Sequence, residues 1–208
     1  RMDETSRDPE GKTGTSVVTS NVAVSPSAID LDRCAVFFHH RWSVPVLAYL
    51  GAAGGARPGV ISVDIGVSRD ILRHTLAALV EWRLVRAGTT RAYELEPVGA
   101  AVSPSCAALT QAVQEHGLME IALHKWSMPV LAAMGLGARR FSDLEGALQT
   151  VTPRALSRAM RELVDAGLVA RTAERGGYTL TGSGTTLGEL AGAMLLAHEK
   201  ARQEHGLV

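Results

Sequence analysis

Apolar side chains recur at intervals of three and four residues between positions 152 and 165, which is the spacing of one face of an α-helix. The stripe predicted to be buried consists of Leu156, Met160, Leu163 and Val164. Thr152 stands directly before this stripe, and a hydroxyl at that place can cap the first turn of the helix. The polar residues on or beside the opposite face are Thr152, Arg154, Ser157, Arg158 and Arg161. The pattern therefore predicts an amphipathic helix whose exposed face is rich in arginine.

The same pattern occurs 84 residues earlier, where Ser68 takes the place of the capping hydroxyl. The stripe predicted to be buried here consists of Leu72, Leu76, Leu79 and Val80. The residues left outside are Arg69, Asp70, Arg73 and His74. Because an aspartate stands among these cations, the exposed face of this helix is less basic than that of the later one.

Both helices belong to a longer repeat. Residues 40–51, HRWSVPVLAYLG, and residues 124–135, HKWSMPVLAAMG, share His, Trp, Ser, Pro, Val, Leu, Ala and Gly at matching positions. Beyond the amphipathic helices, Tyr93 matches Tyr178, and the pentapeptide QEHGL occurs once towards the end of each copy. Sequence that recurs at a fixed spacing indicates repeated structural units.

The repeat divides the chain into an arm and two halves. Residues 1–27 are rich in Ser, Thr, Asp, Gly and Pro without a helical period, which is typical of a flexible arm. The alternation in residues 16–24, SVVTSNVAV, also allows a short strand. After the arm we expect two copies of one domain, at 28–118 and at 119–208. These segments are called the first half and the second half below.

Each half is predicted to begin with three helices. In the first half, one helix runs from a cap at Ser27 towards His40, and the next ends at Gly51. In the second half, Ser142 caps a short third helix. The corresponding stretch of the first half, residues 52–66, is rich in Gly and Pro, so its helix is expected to be shorter or irregular.

A hairpin and a long closing helix are predicted to follow the amphipathic helix. The turn before the hairpin holds Gly167 in the second half, which suits a left-handed helix end, but Arg83 in the first half, where a different turn is expected. The closing helices are expected to start near Pro104 and Thr185. This order is typical of a winged helix-turn-helix. We therefore predict a mainly α fold with small β-hairpin wings, present as two tandem domains that form a pseudo-dimer.

Composition and charge argue against several other classes of protein. The 21 basic and 21 acidic residues cancel, so only a local basic face can indicate nucleic acid. No apolar run reaches the ~20 residues of a membrane span, and no signal peptide is readable, which favours a cytoplasmic protein. The two cysteines, Cys34 and Cys106, stand at unrelated places in the repeat and suit a reducing compartment. No catalytic, phosphate-loop or metal-ligand pattern is present, so we expect neither an enzyme nor a cofactor or metal site.

The arginine-rich helix points to double-stranded DNA. In a major groove, arginine binds guanine edges through two hydrogen bonds, while hydroxyls and helix N-termini take phosphate oxygens. Basic residues of the hairpins suit phosphates or flanking minor grooves. The residues expected to contact DNA are Thr152, Arg154, Ser157, Arg158, Arg161, Arg171, Arg175, Ser68, Arg69, Arg73, His74 and Arg91. The alternative is an ordinary solvated surface, and Asp70, Glu94 and Glu174 favour it in the first half and at the hairpins.

The second half resembles the HxlR-type winged-helix regulators. The resemblance rests on KWSMPVLAAMG at 125–135, RRFSDL at 139–144, TPRALSRAMREL at 152–163 and YTLTGSG at 178–184. The first half resembles the family more weakly, through RWSVPVL and LRHTLAALVEWRLV. The resemblance implies a bacterial transcription regulator that dimerises through terminal helices and binds pseudo-palindromic DNA. Two copies in one chain resemble a family dimer made within one polypeptide, acting as a monomeric pseudo-dimer or as a further homodimer.

The two cysteines depart from the family pattern. The sensor cysteines of the family precede the Trp at a spacing that neither Cys34 nor Cys106 matches. Both are therefore expected to be small buried hydrophobes rather than redox sensors.

Two functions from different classes remain open. The first is a DNA-binding transcriptional regulator with two readers in one chain, with control by a small apolar or aromatic effector between the halves as an option. The second is a winged-helix scaffold repurposed for small-molecule binding, resistance or an enzymatic role in secondary metabolism, which zero net charge and the diverged first half favour. The residues considered for a ligand pocket are Trp82, Leu109, Met119 and Met194.

Overall fold

The computed structural model describes Phe37, Phe38, residues 40–122 and residues 124–206. The elements of the first half are α1 (Ser43–Ala53), α2 (Pro58–Asp64), α3 (Arg69–Glu81), β1 (Val85–Ala87), β2 (Tyr93–Leu95) and α4 (Pro97–Glu115). Those of the second half are α5 (Met119–Ala122), α6 (Ser127–Gly135), α7 (Phe141–Ala147), α8 (Pro153–Asp165), β3 (Val169–Arg171), β4 (Tyr178–Leu180) and α9 (Gly182–Glu204). The described residues are thus mainly helical with two small antiparallel hairpins, as the sequence predicts, and this composition fits a winged helix-turn-helix.

The amphipathic helices α3 and α8 begin in the same way. The hydroxyl of Ser68 accepts a hydrogen bond from the backbone N–H of Ile71 at 3.4 Å, and that of Thr152 accepts one from Ala155 at 3.3 Å. Both predicted caps are confirmed. Because each helix has 13 residues, a position in α3 can be compared directly with the same position in α8.

The apolar stripes of these helices face the interior. The stripe residues that are buried are Leu72, Leu76, Leu79, Leu156, Met160 and Leu163. The prediction was wrong for Val80, which is 41% exposed, and Val164 is only half-buried. At 3.6 residues per turn both valines fall at the edge of their stripe, which explains their contact with solvent.

Each wing is a two-stranded antiparallel hairpin attached to the helices. The register places Val85 opposite Leu95 in the first hairpin and Val169 opposite Leu180 in the second. One isolated β-bridge also joins each hairpin to the segment that precedes the short helix, α2 or α7. The wings are therefore held by backbone hydrogen bonds to a second part of their own half.

The long closing helices α4 and α9 organise the core. α4 packs against α1, α9 packs against α6, and the two long helices pack against each other. A Cβ atom added to Gly51 in α1 would overlap the hydroxyl of Ser103 in α4. A Cβ atom added to Gly135 in α6, 84 residues later, would overlap the carbonyl of Gly188 in α9. The repeated glycine therefore allows each of these helices to approach its closing helix closely.

Several predicted helix ends were wrong. α1 continues past Gly51 and ends at Gly54, whose φ of 67° is left-handed, because Gly51 serves the packing contact rather than a helix stop. α4 begins at Pro97, so Pro104 lies inside the helix. A proline in the first turn loses no hydrogen bond, which makes Pro97 the natural start. α9 begins at Gly182, slightly before the predicted Thr185.

The short helices α2 and α7 also differ from prediction. Both have seven residues, so α2 is not the shorter one; Pro58 is accommodated in its first turn. The cap position of α7 is Arg140 rather than Ser142. The carboxylate of Asp143 accepts hydrogen bonds from the backbone N–H groups of Arg139 at 3.0 Å and Arg140 at 2.8 Å. These two bonds lower the pKa of Asp143.

Some predictions fall on residues that the structure does not describe. The arm at 1–27, the cap at Ser27 and Cys34 lie outside the described residues. Within 40–122 and 124–206, no helix is long and apolar enough to cross a membrane. The same ranges hold no cluster of His, Cys, Asp or Glu that would suit a metal ion.

The turn after α3 is the same as the turn after α8, which corrects the expectation that Arg83 would change it. Arg83 has a φ of 54° and Gly167 a φ of 69°. The next residue, Leu84 or Leu168, donates its backbone N–H to the carbonyl five positions earlier in both turns. Arg83 therefore adopts a left-handed conformation that its Cβ atom disfavours.

We predict that replacing Arg83 with Gly stabilises the protein by about 0.5–1 kcal/mol, because glycine removes the left-handed strain at a small entropic cost in the unfolded chain. The shift in the midpoint of urea unfolding measures this change. Arg83→Ala is the matched control, since it removes the guanidinium but keeps the strained Cβ atom. An equal gain from Arg83→Ala would show that charge, not backbone strain, is responsible.

Candidate nucleic-acid interface

The exposed side of α8 brings together the residues predicted to read DNA. Its buried side is fixed by Leu156, Met160 and Leu163. The opposite side carries five exposed residues, called here the arginine face: Thr152, Arg154, Ser157, Arg158 and Arg161. Arg154 and Arg161 are seven residues apart, about two helical turns or ~10 Å along the axis. The arginine face therefore presents cations along most of the helix, beginning at its N-terminus.

Arg158 is held by a neighbour that the sequence analysis left out of the site. Its Nε donates to Oε1 of Glu162 at 2.8 Å, one helical turn further on. The other carboxylate oxygen, Oε2, lies 3.1 Å from Nδ1 of His124, just before α6. The hydrogen bond from Arg158 and, secondarily, the contact with His124 lower the pKa of Glu162. The i, i+4 spacing of Arg158 and Glu162 is a sequence signal for such a pair, whereas nothing local in the sequence indicates His124.

Two open grooves flank α8. The groove on the wing side has a volume of about 290 Å³. It is lined by Phe141, Ser157, Met160, Arg161, Val164, Arg171 and Tyr178. Arg171 of the wing therefore shares a groove with Ser157 and Arg161 of the arginine face. Arg175, near the tip of the same hairpin, is exposed, and the adjacent Glu174 lies 3.5 Å from Arg140 in an exposed ion pair.

The second groove lies on the α6 side of α8 and has a volume of about 430 Å³. It is lined by His124, Lys125, Trp126, Ala155, Arg158, Ala159 and Glu162. The ammonium group of Lys125 lies 4.7 Å from the centroid of the Trp126 ring, which is a cation–π distance. Lys125 and Arg158 thus add positive charge to this side of the helix as well.

Comparison with protein families fits this geometry. The family model for an HxlR-like helix-turn-helix matches residues 121–205. This stretch is an HxlR-like helix-turn-helix domain. It contains the arginine face, the second wing and α9, and its family supports a DNA-binding transcription regulator. No curated protein and no solved structure matches the chain.

Outside the HxlR-like domain, α3 presents a weaker face. Ser68, Arg69, Arg73 and His74 are exposed together, as predicted. The second position of α3 is Asp70, where the HxlR-like domain has Arg154, and its carboxylate lies 3.8 Å from Arg73. The sixth, ninth and tenth positions are His74, Ala77 and Ala78, against Arg158, Arg161 and Glu162. α3 therefore lacks the three outward arginines of α8.

The surface around α3 is also more apolar than its counterpart in the HxlR-like domain. The large hydrophobic side chains that are exposed among the described residues are Val60, Val63, Ile71 and Val80. All four belong to α2 or α3. In the first wing, Arg86 is paired with Glu94 at 2.6 Å. Arg91 stays exposed in the hairpin turn with a φ of 60°.

The residues considered for a ligand pocket do not form one pocket. Leu109 and Met119 line a cavity of about 40 Å³ together with Val44 from the first half and Met128 from the second. That volume accommodates about one to three water molecules, far less than the 300–1,000 Å³ of typical ligand sites. Met194 is outside this lining and fully buried, with its Sδ 3.5 Å from Sγ of Cys106.

Trp82 lies elsewhere, at the end of α3. Its ring is 5.6 Å from that of His40 and 6.5 Å from that of Phe37, measured between centroids. Phe37 in turn packs edge-on against His198 of α9, at 4.5 Å. Trp82 is therefore part of a chain of aromatic contacts that runs from the first half to the closing helix of the HxlR-like domain.

Cys106 is a buried thiol in the contact between α4 and α9. It is fully inaccessible to solvent, and burial raises the pKa of its thiol to about 12. A thiol with such a pKa is almost entirely protonated at neutral pH, and the thiolate is the reactive form.

We predict that Cys106 is inert to a maleimide reagent in the folded protein at pH 7.5 and reacts only after denaturation. A Cys34→Ser variant isolates the signal from Cys106, and mass spectrometry counts the adducts with and without urea. Labelling of the native variant at the rate of a free thiol would contradict the buried position of Cys106.

Proposed function

We propose that the chain is a DNA-binding transcriptional regulator in which one polypeptide carries two winged-helix readers. One reader is the HxlR-like domain, and the other is the diverged first half. The observation that carries this proposal is the arginine face of α8, with three exposed arginines starting at a capped helix N-terminus within a helix-turn-helix. The matching order of elements in the two halves supports a tandem arrangement.

α8 is proposed to lie in the major groove. Arg154, Arg158 and Arg161 would then meet guanine edges or phosphates, since arginine presents a planar fork of donors to both. The hydroxyl of Thr152 and the N-terminus of α8 suit a phosphate oxygen. Arg171 and Arg175 extend the contact from the wing to the flanking backbone or minor groove.

The packing of α4 against α9 supports a pseudo-dimer within one chain. Paired readers of dimeric helix-turn-helix proteins lie about 34 Å apart, one turn of the duplex. Because α3 and α8 differ at four outward positions, we propose that the two half-sites differ too. The half-site under α8 is expected to be rich in guanine, whereas α3, with Asp70 in its first turn, contributes weaker contacts.

An effector between the halves is a further part of this proposal. The cavity lined by Leu109 and Met119 lies where the two halves meet, so a small apolar or aromatic molecule that opened it would shift the spacing of the readers. The rival function, a non-catalytic small-molecule binder or an enzyme that no longer touches DNA, is favoured by the exposed Val60 and Val63 of α2. We place the regulator first because the arginine face has no use in that rival. The cytoplasm is the proposed location.

We predict that the protein binds random duplex DNA with an affinity that falls steeply with salt. Each phosphate neutralised by an arginine or lysine contributes about −0.9 to the slope of log K against log salt concentration. Fluorescence anisotropy of a labelled duplex across a range of KCl concentrations provides the measurement. Absence of binding at low salt would favour the small-molecule binder instead.

We further predict that alanine substitutions in α8 weaken DNA binding more than those in α3. Loss of Arg154, Arg158 or Arg161 is expected to cost about 1–3 kcal/mol each, and loss of Arg69 or Arg73 less. Titrations of each variant on a site selected from a random library measure the ranking. The reverse ranking, or a footprint with two equal half-sites, would contradict the proposed asymmetry.

A further inference from the structure

Arg158 differs from the other arginines of α8 in how its guanidinium group is held. It bonds Glu162 through Nε alone, at 2.8 Å. This geometry leaves both terminal NH₂ groups of Arg158 outside that bond, and the side chain is 80% exposed. Those two groups form the fork that recognises O6 and N7 of guanine. Arg158 is thus fixed at its inner edge and available at its outer edge.

Glu162 is itself fixed, which makes it a suitable anchor. His124 lies against its second carboxylate oxygen at 3.1 Å, and its side chain is only 27% exposed. The anchor therefore joins α8 to the start of α6, so the direction of the Arg158 side chain is set by two elements of the domain. Arginine has many rotamers, and an arginine held in one of them loses less freedom on binding.

The other arginines of the chain provide the contrast. Arg154 and Arg161 have no ion-pair or side-chain hydrogen-bond partner among the residues that the structure describes. In α3 the sixth and tenth positions are His74 and Ala78, so that helix has neither the arginine nor its anchor. An oriented arginine therefore occurs on α8 and not on α3.

We infer that Glu162 is a positioning residue that gives the DNA contact its sequence specificity, by holding Arg158 as the reader of one guanine. Arg154 and Arg161 supply affinity through charge, with less dependence on sequence. This inference rests on the proposed function. It assigns an acidic residue, which by its charge repels DNA, to the recognition of a particular base.

The opposing effects of Glu162 make the inference testable. Its charge lowers affinity for any duplex, whereas its hydrogen bond to Arg158 raises the preference for the correct site. The test compares affinity for a site selected from a random library with affinity for random duplex, and the ratio of the two is the specificity. The variants are Glu162→Ala, which removes charge and anchor, and Glu162→Gln, which removes the charge but keeps an oxygen that accepts from Arg158.

We expect Glu162→Ala to bind random duplex more tightly while its specificity falls about 10-fold, within the range of a lost bidentate base contact. Glu162→Gln is expected to keep most of the specificity. Glu174→Gln is the matched control, because it removes an acidic residue near the proposed interface that does not contact Arg158; it should raise both affinities equally. Circular dichroism spectra establish that each variant is folded.

A second variant separates positioning from indirect damage to the fold. Arg158→Ala should lower specificity as much as Glu162→Ala does, and the double variant should lower it no further, because both changes remove one contact. Equal increases in both affinities for Glu162→Ala, with unchanged specificity, would overturn the inference and leave Glu162 as a repelling charge. A wild-type protein that binds DNA without any specificity would overturn it too while leaving DNA binding intact, and a protein that does not bind DNA would defeat the proposed function itself.

Discussion

The contact of each closing helix with the helix that starts its winged unit is the constraint on which the rest of the structure depends. α1 and α6 lie so close to α4 and α9 that the facing positions, Gly51 and Gly135, have no space for a Cβ atom. Close contact between backbones excludes water and fixes the angle of the helices. The short helix, the amphipathic helix and the wing are all mounted on that pair. The direction in which α8 presents its arginines therefore depends on a contact on the far side of the domain.

The sequence predicted the amphipathic helices and their caps well, because the apolar stripe and the hydroxyl before it are local signals. It misjudged positions where packing between distant segments decides. Gly51 resembles a helix stop, but α4 requires a glycine there, and the helix runs on to Gly54. The short helices show the same limit, because the fully buried Ile61 and Leu144 are 83 residues apart while the flanking segments are 84 apart. A slip of one residue that is undone a few residues later leaves no trace in an alignment of repeats.

The candidate site was likewise predicted in part. Every arginine of α8 that was named from the sequence is exposed on one face, since helical periodicity determines which side a residue takes. The partner that holds Arg158 was not foreseen, because His124 comes from 38 positions earlier and only the fold brings it to Glu162. The first half shows the opposite case. Its backbone kept the left-handed turn although Arg83 replaces glycine, so the fold tolerated a residue that local rules disfavour.

The contact between α4 and α9 has a consequence for how the two halves can change over time. In a dimer of identical chains, a two-fold axis requires every interface residue to suit both sides. Here the contact lies within one chain, so each side can adapt alone, as Cys106 has done by packing against Met194. Such a contact also survives dilution, because its partner is always present at a high local concentration. For the proposed regulator, a tethered reader adds to binding even when it is weak, which leaves α2 and α3 free to acquire side chains such as Val63 and Asp70.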